Sequence, residues 1–199
     1  MKHSIIPIFL SLFLIACTEP RFDPVFEDGV ILAFGDSLTE GVGVAEEESY
    51  PSVLAGLSGV RIINAGLSGE TTAEGLARLP SVLDRTQPDL MILLEGGNDI
   101  LRNHDLTATR DNLARMVEMA QSRDIDVLLV GVPEKKLFSD TAPLYAELAE
   151  RYELAFDDDV VASLLRDPNM KSDSVHFNAE GYQRLAERLY QRLQDEGAL

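Results

Sequence analysis

Glycines and small polar residues cluster in four short stretches of this sequence: Gly35-Asp36-Ser37-Leu38-Thr39, Asn64 to Thr71, Gly96-Gly97-Asn98-Asp99, and Asp173-Ser174-Val175-His176. Together they supply a hydroxyl, an imidazole, a carboxylate and several backbone N–H groups, the parts needed for acyl transfer. A serine hydroxyl is a poor nucleophile until a base takes its proton. An imidazole does so through Nε2 when a carboxylate holds its Nδ1–H and fixes the tautomer. Asp173 precedes His176 by three residues, close enough for a tight turn to join their side chains. The competing imidazole, His104, lies in the polar loop Arg102-Asn103-His104-Asp105 and reads as surface.

These residues need elements to position them. Val30–Phe34, Arg61–Asn64, Leu90–Leu94 and Asp126–Val130 read as strands buried on both faces, with Leu154–Phe156 a weaker fifth. Thr71-Thr72-Ala73-Glu74 has the pattern of a capping box. It opens a helix with Leu76, Leu79, Val82 and Leu83 on one face, which Pro80 should kink or shorten. Leu113, Met116, Val117 and Ala120 form a second helical stripe. A last helix, capped by Asn178, buries Tyr182, Leu185, Ala186, Leu189 and Leu193. This alternation predicts a three-layer α/β/α domain with a doubly wound parallel sheet of about five strands. Ligands of such sheets bind at the carboxyl ends of the strands, where the first three polar stretches fall.

The four stretches, in this order, resemble the SGNH (GDSL-type) hydrolase family. Gly35-Asp36-Ser37-Leu38 is similar to its first block, Gly69 to the second, Gly97-Asn98-Asp99 to the third and Asp173-x-x-His176 to the fourth. Asn64–Gly69 and Gly75–Pro80 also resemble the bacterial thioesterase/arylesterase/lysophospholipase branch. The resemblance implies a flavodoxin-like sheet and a serine esterase with Ser37 as nucleophile and His176 and Asp173 as its acid–base partners. Its oxyanion donors would be the Ser37 and Gly69 N–H groups and the Asn98 amide, each worth roughly 2.7–4 kcal/mol in the transition state. The implied substrates are small acyl or aryl esters, with thioesters and lysophospholipids beside them; no cofactor and no metal is needed. The alternatives are a carbohydrate O-acetylesterase and, outside enzymes, an inactive ligand-binding lipoprotein.

Two positions depart from the family pattern. Phe177 stands where proline is frequent, leaving the turn before Asn178 less rigid, at little expected functional cost. Glu95 directly precedes the double glycine, where it either hydrogen-bonds beneath the site or faces solvent. The segment Leu137 to Tyr145 is either an apolar acyl-pocket wall or lid, or simple packing at a helix start.

Composition narrows the partners. A length of 199 residues allows one compact domain, and a net charge of −17 argues against nucleic acid. The acidic runs Glu46–Glu48 and Asp157–Asp159 lack calcium-loop spacing and read as solvated surface. Gly41-Val42-Gly43-Val44 lacks the third glycine of a dinucleotide loop. At the start, Lys2 precedes an apolar run from Ser4 to Ile15, too short to span a bilayer but of signal-peptide length. Leu14-Ile15-Ala16-Cys17 resembles the lipobox of bacterial lipoproteins. That implies cleavage before Cys17, acylation of its thiol and a periplasm-facing place in the cell envelope, at the outer membrane. Cys17 is the only cysteine, so no disulfide within the chain is possible. The expected organisation is a signal peptide over 1–16, a lipidated tether over 17–28 and a hydrolase domain over 29–199.

Overall fold

Five parallel strands in the order β2-β1-β3-β4-β5 form the centre of the protein. The structure, a computed structural model, describes residues 21–135 and 140–199. The signal and lipobox expectations therefore lie outside the described residues, as does part of the 137–145 segment. In chain order the elements are β1 (Val30–Gly35), α1 (Ser37–Glu40), α2 (Tyr50–Ser58), β2 (Arg61–Gly66), α3 (Thr72–Thr86) and β3 (Leu90–Leu94). There follow α4 (Gly97–Leu101), α5 (Leu106–Gln121), β4 (Asp126–Val130), α6 (Pro143–Arg151), β5 (Ala155–Asp157), α7 (Val160–Arg166) and α8 (Ala179–Asp195). Helix α8 packs against α2 and α7, while α5 packs against α3 and α6. The result is the expected α/β/α sandwich.

Burial follows position in the sheet. β3 is buried at every residue, and β1 and β4 at all but their first. β2 was expected to be buried on both faces, yet its pattern is exposed to intermediate throughout. It is an edge strand with a neighbour on one side only. The switch in strand order lies between β1's two neighbours, β2 and β3, so the loops after these three strands converge.

Several local expectations change. Helix α3 runs unbroken through Pro80 over 15 residues. Proline costs it one hydrogen bond at the Leu76 carbonyl, but Gly75, Leu79, Val82 and Leu83 are buried along it, and that packing holds the helix. Leu76 is only partly buried; Gly75 takes its place on the inner face, where an added Cβ would lie 3.2 Å from Met116 Cε. Asp157 is not solvated surface but 1% exposed, bonded to Arg188 Nε at 2.6 Å and accepting from Val160 N–H. Residues 21–28 lie on the domain, with Phe22 and Val25 buried and Val25 N–H donating to Ala198 O.

Candidate active site

Ser37 opens α1 directly after β1, where Asp36 caps the helix by accepting the Leu38 N–H at 3.0 Å. The chain must turn sharply here against its neighbours. A Cβ on Gly35 would stand 1.9 Å from Leu94 O, and one on Gly66 would stand 2.0 Å from Glu40 N. Only glycine lets the ends of β1, β2 and β3 close around α1 in this way.

His176 reaches Ser37 from the far end of the chain. Its Nε2 lies 3.0 Å from Ser37 Oγ and its Nδ1 2.7 Å from Asp173 Oδ2. The other carboxylate oxygen, Oδ1, accepts the N–H groups of Val175 and His176 at 2.8 and 2.9 Å. These bonds, led by the one from the imidazole, hold the Asp173 carboxyl down at about 2. Asp173 is thus an acceptor only near neutral pH, so Nδ1 carries the imidazole proton and Nε2 is left to accept from the serine hydroxyl. The turn is closed by Ser172 N–H donating to His176 O and Asn178 N–H to Met170 O. Phe177 is fully buried and meets Tyr182 edge-on at 5.5 Å, and Tyr182 in turn donates to Val42 O. A packed aromatic therefore anchors the turn that was expected to be loose.

The three residues expected to donate to the oxyanion border the same cavity. Ser37, Gly69 and Asn98 all line one cavity of about 420 Å³ together with His176. Gly69 has φ +79°, the left-handed region that favours glycine. Among the described residues, neither the Ser37 nor the Gly69 N–H donates to a protein acceptor. The Asn98 amide donates to Glu70 O at 2.9 Å and makes a longer contact of 3.4 Å with Asp36 Oδ2. Its first bond is an anchor, and its second is weak enough to be exchanged for a stronger acceptor.

Residues that the sequence did not single out brace these loops. Arg78 binds both oxygens of Glu70 at 2.5 and 2.6 Å, donates to Ala65 O and Gly35 O, and stacks 4.1 Å over the Phe34 ring. One guanidinium thus ties the ends of β1 and β2 to the residue whose carbonyl holds Asn98. Asp99 is buried and takes bonds from Thr72 N–H, Thr72 Oγ1 and Thr109 Oγ1. A helical arginine eight residues after Glu70 was the available signal, but it does not distinguish a brace from a surface cation.

Glu95 lies beneath the site, fully buried. Its Oε1 accepts Gly96 N–H at 3.0 Å, while Oε2 has no partner among the described residues and Tyr145 donates to its backbone carbonyl. Burial first, and the nearby Asp36 charge second, push this carboxyl well above the usual range. Burial likewise raises Asp36 to about 6. His104 stays outside the cavity, about half exposed and 3.8 Å from Asp99.

Fold and site together define a serine hydrolase acting on carboxylic esters. The chain belongs to the GDSL-like lipase/acylhydrolase family, which it matches over residues 33–184. It is 32% identical to an arylesterase of Vibrio mimicus over 174 residues, spanning 82% of this chain and 87% of that one. It is 26% identical to thioesterase 1/protease 1/lysophospholipase L1 of Escherichia coli over 172 residues, spanning 82% and 83%. Among solved structures, AlinE4, an esterase of the SGNH-hydrolase family, is 35% identical with a TM-score of 0.68, covering 88% of this chain and 100% of that one.

Proposed function

We propose that Ser37 is the nucleophile of this esterase, His176 its general base and acid, and Asp173 the group that orients the imidazole. The observation that carries the reading is the unbroken line from Ser37 Oγ to His176 Nε2 (3.0 Å) and from Nδ1 to Asp173 (2.7 Å). In acylation, His176 Nε2 takes the hydroxyl proton as Ser37 Oγ attacks the ester carbonyl. The oxyanion that forms is met by the Ser37 and Gly69 N–H groups and by the Asn98 amide, which turns from its long contact with Asp36. His176 then gives the proton to the leaving alcohol or thiol, and an acyl-Ser37 remains. Water, activated by the same imidazole, releases the acid. The apolar walls of the cavity, Leu38, Ile100, Leu101, Val132 and Leu165, suit an acyl chain or an aryl ring. Acyl and aryl esters are the proposed substrates, with thioesters and lysophospholipids supported by the relatives' activities.

A fluorophosphonate label tests the assignment. It should attach to Ser37, and Ser37→Ala should lower kcat by roughly 10⁴-fold or more with the fold intact. Labelling of Ser68 instead, or a variant with nearly full activity, would overturn it.

The domain reaches its substrates from a membrane anchor in this reading. Residues 1–16 are a signal peptide, Cys17 is the acylated residue, 17–28 link it to the hydrolase domain over 29–199 with Phe22 and Val25 of that link packed onto the domain, and the protein faces the periplasm from the outer membrane. Support comes from the apolar run ending in Leu14-Ile15-Ala16-Cys17. Among the described residues no helix is long and apolar enough to cross a membrane. Mass spectrometry of the native N-terminus decides the matter: an unmodified Cys17, with the signal removed elsewhere, would sink the anchor and leave the esterase standing.

A further inference from the structure

Lysine is scarce in this chain and unevenly placed. There are four, Lys2, Lys135, Lys136 and Lys171, against 13 arginines and 34 acidic residues. Many arginines are spent on carboxylates: Arg78 on Glu70, Arg123 on Asp84, Arg188 on Asp157 and Arg192 on Glu196. Lys135 and Lys171 both line the active-site cavity. Lys135 Nζ donates to a neutral acceptor, Leu101 O, at 2.7 Å, and Lys171 has no ion pair among the described residues. The third cation of the lining, Arg166, is already bonded to Asp159 at 2.9 Å and to Asp140 at 3.2 Å. Of the carboxylates in the lining, Asp36 is buried at the floor and Glu134 stands next to Lys135 in sequence. Two lysines thus line a reaction chamber in a protein of net charge −17, and among the described residues neither is paired with a carboxylate.

Their position relative to the chemistry indicates which half of an ester they meet. The leaving oxygen must turn toward His176 Nε2 to receive its proton. Lys171, Ser174 and Val175 belong to the same closed turn as His176 and line the cavity with it. The backbone bridge between Lys171 and Phe177 fixes the lysine at the base of that turn. The alcohol or thiol half therefore departs past Lys171.

We infer that Lys171, aided by Lys135, makes this site prefer esters whose alcohol or thiol half carries a negative charge, as a phosphate or a carboxylate, over neutral esters of the same size. The inference rests on the proposed esterase reading of the site and names the substrate class within it. A partly exposed ammonium adds little to a neutral substrate, but it both attracts and orients an anionic one.

The test uses the full chain and matched substrate pairs. One pair is 1-butyrylglycerol and 1-butyrylglycerol 3-phosphate; the other is 3-butyryloxypropionate and its methyl ester. The ratio of kcat/KM, anionic over neutral, should exceed one at low salt and fall as NaCl screens the charge. Lys171→Gln should lower that ratio by roughly two- to fivefold, the scale of an exposed charge pair, and Lys171→Arg should keep most of it. A preference in the phosphate pair alone assigns the site to phosphate, and one in both pairs to anions generally. Good hydrolysis of the neutral esters with a ratio of one or below, unchanged in Lys171→Gln, overturns this inference and leaves the esterase. Hydrolysis of none of the four substrates, with no labelling of Ser37, removes both.

Discussion

Replacing Arg78 by alanine should cost this protein stability and activity together. The guanidinium is only a quarter exposed and the Glu70 side chain is 1% exposed, so the substitution strands a buried carboxylate. Removing one partner of a buried ion pair typically costs about 3–5 kcal/mol. Two further charged bonds, to Ala65 O and Gly35 O, disappear as well. Gly35 O keeps a second donor in Leu67 N–H, and the space left by Arg78 lies near enough to solvent for water to reach Glu70. We therefore expect about 3 kcal/mol, the low end of that range. Urea denaturation should show it as a lower midpoint with an unchanged slope. Because the Glu70 carbonyl holds Asn98, kcat should fall too, by up to about 10²-fold for a displacement near 1 Å. Arg78→Met combined with Glu70→Leu should regain most of the stability, since no charge is then left unpaired. A loss below 1 kcal/mol for Arg78→Ala, with kcat unaltered, would refute the argument.

Three more outcomes follow from the site. The fold holds the Glu95 proton well above the ordinary carboxylate pKa, so this residue costs stability as pH rises past about 4.5, where the unfolded chain releases its proton. Glu95→Gln should gain on the wild type from there toward neutral pH, at up to about 1.4 kcal/mol per pH unit; parallel melting curves would contradict this. Asp173→Asn should lower kcat by roughly 10²–10⁴-fold through the wrong imidazole tautomer, while Tm changes little because the carboxylate is half exposed; a large loss of Tm would give Asp173 a structural role instead. Phe177→Ala should destabilise by about 3–5 kcal/mol, measured by denaturation, since it empties a fully buried site under the catalytic turn.

Sequence alone was enough where a local rule settles the outcome. Apolar runs of strand length set β1, β3 and β4, the alternation with helices set a parallel sheet, and the sheet placed Ser37 and Asn98 at strand ends. The three-residue spacing of Asp173 and His176 was legible because a single turn satisfies it. What the sequence could not settle were matters of long-range packing. Pro80 reads as a helix breaker until the burial of Gly75, Leu79 and Val82 outweighs one lost bond. Phe177 reads as a loss of rigidity until Tyr182, which lies in the next helix, meets its ring. Asp157 is a carboxylate of the same kind as its exposed neighbours Asp158 and Asp159, and Glu95 ends an apolar strand where its side chain could equally have faced solvent. Only the stacking of α8 on the sheet gives Asp157 its arginine, and only the closure of β3 beneath α4 takes Glu95 out of water. A side chain's type and spacing fix what it is able to do. Its burial and its distant partners decide what it does, because desolvation and pairing energies depend on neighbours that no short stretch of sequence contains.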